Sequence, residues 1–300
     1  MEPRSGASGS VVTAAKTMIG GLFKLKQTTL LVFTAYAAYA AGGGLGQGVA
    51  RQLELIIISY AAIAAVTAIN MYFDRDIDAL MERTRSRPLA SGRLNPHLAL
   101  FMSILLLVAS IVAGLVVFNI WYVFGILIGF IFDVFAYTLL LKRRSPINIV
   151  AGAIAGGAPA LGGWAAAAGR IDAAAVMFSL VVASWVPAHI WFLATFYRED
   201  YMRAGVPMLP TIADPSVVGT GIGIAAMATG YAVAALGLLG AIGPAATLYG
   251  LAVSAYTMYL AARYIEEKGS PFYAKKAFIR VNMSLGFFYL LVVLEKLLGI

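Results

Sequence analysis

Asn70, Asp74 and Asp78 recur every four residues within the run NMYFDRDIDALMERTRSRPLASGR, residues 70–93. On a helix that spacing stacks the three side chains on one face, about one turn apart. An amide and two carboxylates in a column make a site for a hard cation such as Mg2+. Arg75, Arg83, Arg85, Arg87 and Arg93 follow in the same run, and guanidinium groups grip phosphate through paired hydrogen bonds. The chemistry suggested is a Mg2+–diphosphate site with Asn70, Asp74 and Asp78 as its catalytic and metal-binding groups. Asp76 points away from the other two and suits a second ion or an arginine. The plainer alternative is a solvated loop that stops a helix. Against it, carboxylates at a helix C-terminus face the negative end of the dipole, which is unfavourable unless a cation compensates.

A second charged stretch, YREDYMRAGVPMLPTIADP, spans residues 197–215. Tyr197 and Asp200 are three apart and share a helix face. Asp200 and Glu199 are candidates to help hold metal, and Arg198 or Arg203 to meet phosphate. Within the stretch, GVPMLP is a stiff apolar turn that returns toward the hydrocarbon as a lid or a wall. Lys142, Arg143 and Arg144 are candidate anion contacts, although charge asymmetry across a membrane explains them equally well. Two ionisable residues fall inside apolar runs: Asp133 in GFIFDVFAY and His189 in SWVPAHIWF. Such residues are costly at membrane depth and are candidate functional positions. Hydrogen-bonded packing is an equal reading for His189, and pairing with a neighbouring helix is the stronger one for Asp133.

The elements that must carry these groups are apolar helices. The 300 residues are 61% hydrophobic and 12% charged, with a mean hydropathy of +0.86. A soluble domain carries about 25% charged residues, so the composition indicates a polytopic membrane protein in the lipid bilayer. Apolar runs near the ~20 residues of a spanning helix exclude a barrel of short alternating strands. The absence of cysteine excludes disulfides, thiolate metal sites and thiol nucleophiles. The net charge of +8 is read as cytoplasmic loops and not as a nucleic-acid surface.

Nine spans are expected, at about 28–47, 53–73, 97–118, 121–141, 147–168, 173–195, 216–238, 243–263 and 281–299. The second span delivers Asn70 to its C-terminal end. All but three of the 22 lysines and arginines then fall on one side, with Arg51, Arg170 and Lys296 on the other. That asymmetry puts the N-terminus and both acidic loops in the cytoplasm. Residues 1–15 are expected to be a disordered tail, and 16–300 a single nine-helix membrane domain whose first helix is a retained signal anchor. The glycines of the fifth span, Gly152, Gly156, Gly157, Gly162 and Gly163, allow close helix approach.

Asn70-x3-Asp74-x3-Asp78 on the second of nine helices resembles the UbiA-type intramembrane prenyltransferases. Residues 70–94, 137–166 and 187–210, the last reading PAHIWFLATFYREDYMRAGVPMLP, resemble the haem-farnesylating branch of that family. The resemblance implies an all-α bundle of nine transmembrane helices around a central cavity, with diphosphate at the cytoplasmic mouth. It implies transfer of the farnesyl group of farnesyl diphosphate to a vinyl group of haem b, with Mg2+ as cofactor. Its product feeds haem-copper oxidases, so haem A synthase or oxidase assembly proteins become candidate partners. By matching positions, Asn70, Asp74 and Asp78 would hold Mg2+ and diphosphate, and Arg83, Arg87, Lys142, Arg143 and Arg144 would contact the anion. His189 would contact haem, a group for which imidazole is a common ligand. Met71 stands where many relatives that prenylate phenolic rings carry Asp, which points to the haem branch. Glu199 and Asp200 stand in place of those relatives' spaced aspartates, and Asp133 is not matched to a family position. Two rivals are a prenyltransferase for a quinone precursor or archaeal lipid, and a transporter using Asp133 and His189 as a proton relay. The charge gathered at one mouth speaks against transport.

Overall fold

The computed structural model describes residues 21, 22 and 24–300; the expected tail over 1–15 lies outside the described residues. Among those described, the chain forms nine long helices and no strand. They are α1 (Leu25–Ala41), α2 (Val49–Leu80), α3 (Pro96–Val117), α4 (Ile120–Phe130), α5 (Asn148–Ala168) and α6 (Ala173–Phe196). Two short helices follow, α7 (Arg198–Arg203) and α8 (Leu209–Ile212), then α9 (Pro215–Leu238), α10 (Pro244–Glu266) and α11 (Pro271–Leu298). α4 runs without a break into a π-helix, Ile131–Leu141. Eight of the long helices, α1 excepted, are long and apolar enough to cross a membrane when α4 is counted with its π extension. The chain is a multi-pass membrane protein.

The helix starts follow from local chemistry. Asn95 accepts a hydrogen bond from the Leu98 N–H with Pro96 in the first turn, and Asp214 caps α9 at the Ser216 N–H with Pro215 behind it. Asn119 and Asp172 cap α4 and α6 in the same way. Each side-chain oxygen satisfies an N–H that the helix itself leaves unpaired.

The charged connections after α2, after the π-helix and after α6 meet at one end of the bundle, where Asp200 accepts from the Glu82 and Arg83 N–H groups and Arg143 grips Asp76. α5 and α6 lie centrally. α5 packs on α1, α4 and α6, while α6 also packs on α9 and α11; α11 returns to α1. The glycines of α5 make this closeness possible. A methyl at Gly163 would overlap the Ala35 carbonyl of α1, and one at Gly157 would lie 2.5 Å from the Ser179 carbonyl oxygen of α6. Without water to drive association, such backbone contact is the main packing force between membrane helices.

Three boundaries differ from the expectation. α1 ends at Ala41, and a 3-10 turn, Gly44–Gln47, follows it. α2 continues to Leu80, so Asn70 sits inside the helix and not at its end; charge ends the apolar run but does not break the hydrogen-bond ladder. α11 begins at Pro271, ten residues early, because Ser270 and Pro271 supply a start signal ahead of the apolar run.

Candidate active site

The last three turns of α2 carry Asn70, Asp74 and Asp78, all buried, while Asp76 faces out. Asp74 is fully buried and ion-paired with Lys142, the residue that ends the π-helix. Its other carboxylate oxygen, Oδ1, is buried without a hydrogen-bond partner. One turn on, Asp78 pairs with Arg87 at 2.6 Å. One turn back, the Asn70 amide donates to the Thr138 hydroxyl at 2.6 Å, and that hydroxyl donates to the Asp133 carbonyl at 2.7 Å. The face read from sequence therefore lies against the π-helix, with a cation set against each carboxylate. Burial works against the Lys142 ammonium, but Tyr137 and Asp74 beside it hold its pKa above the ordinary lysine value. Tyr137 also offers its ring face to that ammonium at 5.2 Å. Asn148, fully buried at the start of α5, donates to the Lys142 carbonyl at 3.3 Å and keeps its own carbonyl oxygen unpartnered.

The loop after α2 folds back over this column. Thr84, fully buried, donates to the Asp78 carbonyl at 2.9 Å. Asp200, from α7, accepts from the Glu82 and Arg83 backbone N–H groups at 3.2 and 3.1 Å. Arg83 lies over the Tyr197 ring at 5.4 Å, and its Nε is buried without a partner. The second charged stretch thus meets the first through Tyr197 and Asp200. Asp200 spends its carboxylate on that loop's backbone and on Arg203 at 3.6 Å. Glu199 and Arg198 are exposed, the latter reaching the Thr211 carbonyl at 3.4 Å. Among the described residues, no three His, Asp or Glu side chains converge as a metal cluster.

The basic trio after the π-helix divides. Lys142 faces inward, Arg143 grips Asp76 through two bonds of 2.7 and 2.6 Å, and Arg144 is exposed. The Asp76 carboxylate raises the Arg143 pKa. The turn GVPMLP is a wall: Val206 and Met208 are buried in one cluster with Ile77, Met81 and Ile149. His189 lies deeper, about 10 Å below the α6 terminus at 1.5 Å per residue. Its ring is sandwiched between Trp185 at 4.5 Å and Phe278 at 4.9 Å, and its Nδ1 is buried without a partner.

Sequence reasoning passed over Lys24, Tyr137, Thr138 and Asn148. Lys24, half-buried just before α1, has its pKa lowered to about 8 by burial and then by Arg87. Neutral hydroxyls and amides inside apolar runs carry little positional signal, and the π-helical register that brings Thr138 to Asn70 leaves no mark on residue types.

A helical membrane bundle with buried carboxylates and paired cations at one mouth defines a class of intramembrane enzyme fold. Residues 30–287 match the model of the UbiA prenyltransferase family, and the chain belongs to that family. It is 52% identical over 279 residues to a protein of Hyperthermus butylicus named protoheme IX farnesyltransferase, covering 93% of this chain and 94% of that one. Two solved structures share the fold. One is a digeranylgeranylglyceryl phosphate synthase, with a TM-score of 0.71, 20% identity and coverage of 93% of this chain and 98% of that one. The other is a UbiA homolog from Archaeoglobus fulgidus bound to DMAPP and Mg2+, with a TM-score of 0.68, 16% identity and coverage of 92% and 99%.

Proposed function

We propose that the chain transfers the farnesyl group of farnesyl diphosphate to a vinyl group of haem b. The observation that carries this reading is the 52% identity, over nearly the full length of both chains, to a protein named for that reaction. The solved neighbour that is a digeranylgeranylglyceryl phosphate synthase shares the fold at 20% identity and carries no weight for the acceptor.

Asn70, Asp74 and Asp78 are the proposed donor-site groups, with Arg83, Arg87 and Lys142 as contacts for the diphosphate. The donor set fits Mg2+, which takes one or two carboxylates plus substrate phosphates and seldom an all-protein cage. Asp74 Oδ1 is a buried oxygen with no partner, and the Asn70 carbonyl oxygen is the end its amide leaves to offer. When bound there, Mg2+ would supply charge neutralisation to a departing diphosphate. Asp200 orients the Arg83 loop and is a weaker metal candidate than part of its own hydrogen-bond role. Arg143 and Arg144 sit at the rim and attract anions without entering the column.

In the resting arrangement Lys142 neutralises Asp74 and Arg87 neutralises Asp78. With Mg2+ and a diphosphate bound, Asp74 and Asp78 would hold the cation, and Lys142 and Arg87 would be free to meet the phosphates. As the allylic C–O bond breaks, its electron pair leaves on the diphosphate, where Lys142, Arg87 and Arg83 stabilise it. The vinyl group donates its π electrons to the allylic carbon. Water adds to the resulting benzylic-type cation and loses a proton, giving a hydroxyethylfarnesyl side chain. His189, with an unpartnered ring nitrogen between Trp185 and Phe278, is the proposed haem contact.

The mouth is proposed to face the cytoplasm of a cell membrane, on the charge asymmetry of the loops. A haem A synthase or an oxidase assembly protein is the proposed recipient of the product. Mass spectrometry of haem extracted after incubation with farnesyl diphosphate tests the reading, and prenylation of a hydroxybenzoate or a glyceryl lipid in place of haem b would overturn it.

A further inference from the structure

Haem b is flat and apolar except for its propionate side chains, whose carboxylates cost too much to carry into hydrocarbon. When the ring meets His189, the edge that bears them therefore stays at the charged mouth. The cations described there so far are committed: Lys142, Arg87 and Arg83 belong to the donor site, and Arg143 is paired with Asp76. A cation for the acceptor has to come from the helices beside His189.

Those helices are α6 and α11, which pack on one another with contacts that climb a single seam. Deepest, the Trp185 indole N–H donates to the Val281 carbonyl at 3.0 Å. Above it, the His189 ring meets the Phe278 ring at 4.9 Å. At the mouth, the Lys275 ammonium lies 4.7 Å from the centre of the Phe196 ring. Lys275 and Phe278 are three residues apart, so they share a face of α11 about one turn apart. Lys275 thus stands a turn above the ring that flanks His189, on the water side. It is exposed, and among the described residues it rests on the Phe196 face with no carboxylate paired to it. A lysine stem laid along an aromatic ring keeps the ammonium donors in water for an incoming anion. Lys276, next in the chain, turns aside over the exposed Phe272 ring at 4.1 Å. Phe196 in turn meets Tyr197 edge to face at 4.6 Å, and Arg83 lies over Tyr197 at 5.4 Å. Each ring of this aromatic pair carries its own cation, one from the donor loop and one from the His189 seam.

We propose that Lys275 is an acceptor-binding residue that takes a propionate carboxylate of haem b at the mouth, above His189 and one aromatic pair away from the donor diphosphate. This rests on the reading of haem b as the acceptor and His189 as its contact. Lys275 sets which edge of the macrocycle faces water and leaves the vinyl-bearing part to the interior. It takes no part in diphosphate departure, so its loss weakens acceptor binding and leaves donor binding alone.

The test titrates the purified full chain in detergent with haem b and with its dimethyl ester, whose propionates carry no charge, and reads quenching of tryptophan fluorescence. The parent should bind haem b more tightly than the ester. Lys275→Glu, which sets a like charge against the carboxylate, should weaken haem b binding about tenfold and leave ester binding near the parent value, so that the preference disappears. Lys275→Arg should keep the preference, and so should Lys276→Gln, the neighbouring charge on another face. Calorimetric binding of inorganic pyrophosphate with Mg2+ should be the same in Lys275→Glu as in the parent. An unchanged preference in Lys275→Glu, an equal loss for haem b and its ester, or a loss of pyrophosphate binding would each overturn the proposal, as would a parent that binds haem b and the ester alike. A parent that binds pyrophosphate but neither form of haem would bring down the haem reading itself, a result distinct from any of these.

Discussion

Asp74 and Lys142 illustrate what a single buried pair imposes. The pair lies 68 residues apart in sequence and out of water. Removing one partner of such a pair strands the other and costs about 3–5 kcal/mol. Asp74→Ala is therefore expected to lower stability as well as activity. Asp74→Asn and Asp78→Asn, which keep shape and hydrogen-bonding atoms, are the cleaner probes. Each should reduce kcat/KM at least ~100-fold, in line with losing a ligand of the cation that neutralises the departing diphosphate, with the folded protein still recovered from the membrane; near-parental turnover in either would remove it from the donor site. Asp76 is the internal control. It sits in the same charged run, but its pair with Arg143 is exposed, and such pairs contribute about 0–1 kcal/mol. Asp76→Asn should leave kcat/KM within a few-fold of the parent. Sequence spacing separated Asp76 from Asp74 and Asp78 because the period of a helix is enough to do so. It could not find Lys142 as the partner, since nothing in residue type distinguishes Lys142 from Arg143 and Arg144.

At the scale of elements, the connections matter as much as the spans. Glu295, near the end of α11, is buried and accepts hydrogen bonds from the backbone N–H groups of Gly243, Ala245 and Ala246 at 3.0, 2.7 and 3.1 Å. A carboxylate at a helix N-terminus answers both the unpaired N–H groups and the dipole. Glu295→Ala should lower the unfolding temperature by several degrees, corresponding to about 2–4 kcal/mol for charged hydrogen bonds lost in a dry setting. KM for either substrate should not change, because the latch lies at the end of the bundle away from the charged mouth. A shift in KM without a shift in stability would contradict that placement. Gly163→Leu should be worse tolerated than Gly152→Leu. The first collides with backbone of α1, while a methyl at Gly152 meets the Tyr137 ring at 3.4 Å, and overpacking costs about 1–3 kcal/mol or more. The density of glycine in α5 was a legible sign of close packing there. The π-helix at 131–141 was not legible, because i→i+5 bonding selects no residue types, and it is this register that sets Thr138 against Asn70.

At the scale of the whole molecule, the nine-span reading and the gathering of charge at one end follow from hydropathy and from the uneven distribution of lysine and arginine. What composition left open was which charged loops touch. The described structure joins the 81–95 loop to the start of α7 through Asp200 and Tyr197, so the mouth is built from both halves of the chain. Chelation of divalent metal should abolish turnover and added Mg2+ should restore it; turnover unchanged in excess chelator would refute a metal-assisted departure. The most direct test of the central claim supplies membranes carrying the chain with haem b, farnesyl diphosphate and Mg2+, and weighs the extracted haem. The account predicts a species heavier than haem b by one farnesyl group and one hydroxyl group, dependent on Asp74 and Asp78. Unaltered haem b, with the farnesyl group found on another acceptor, would contradict it.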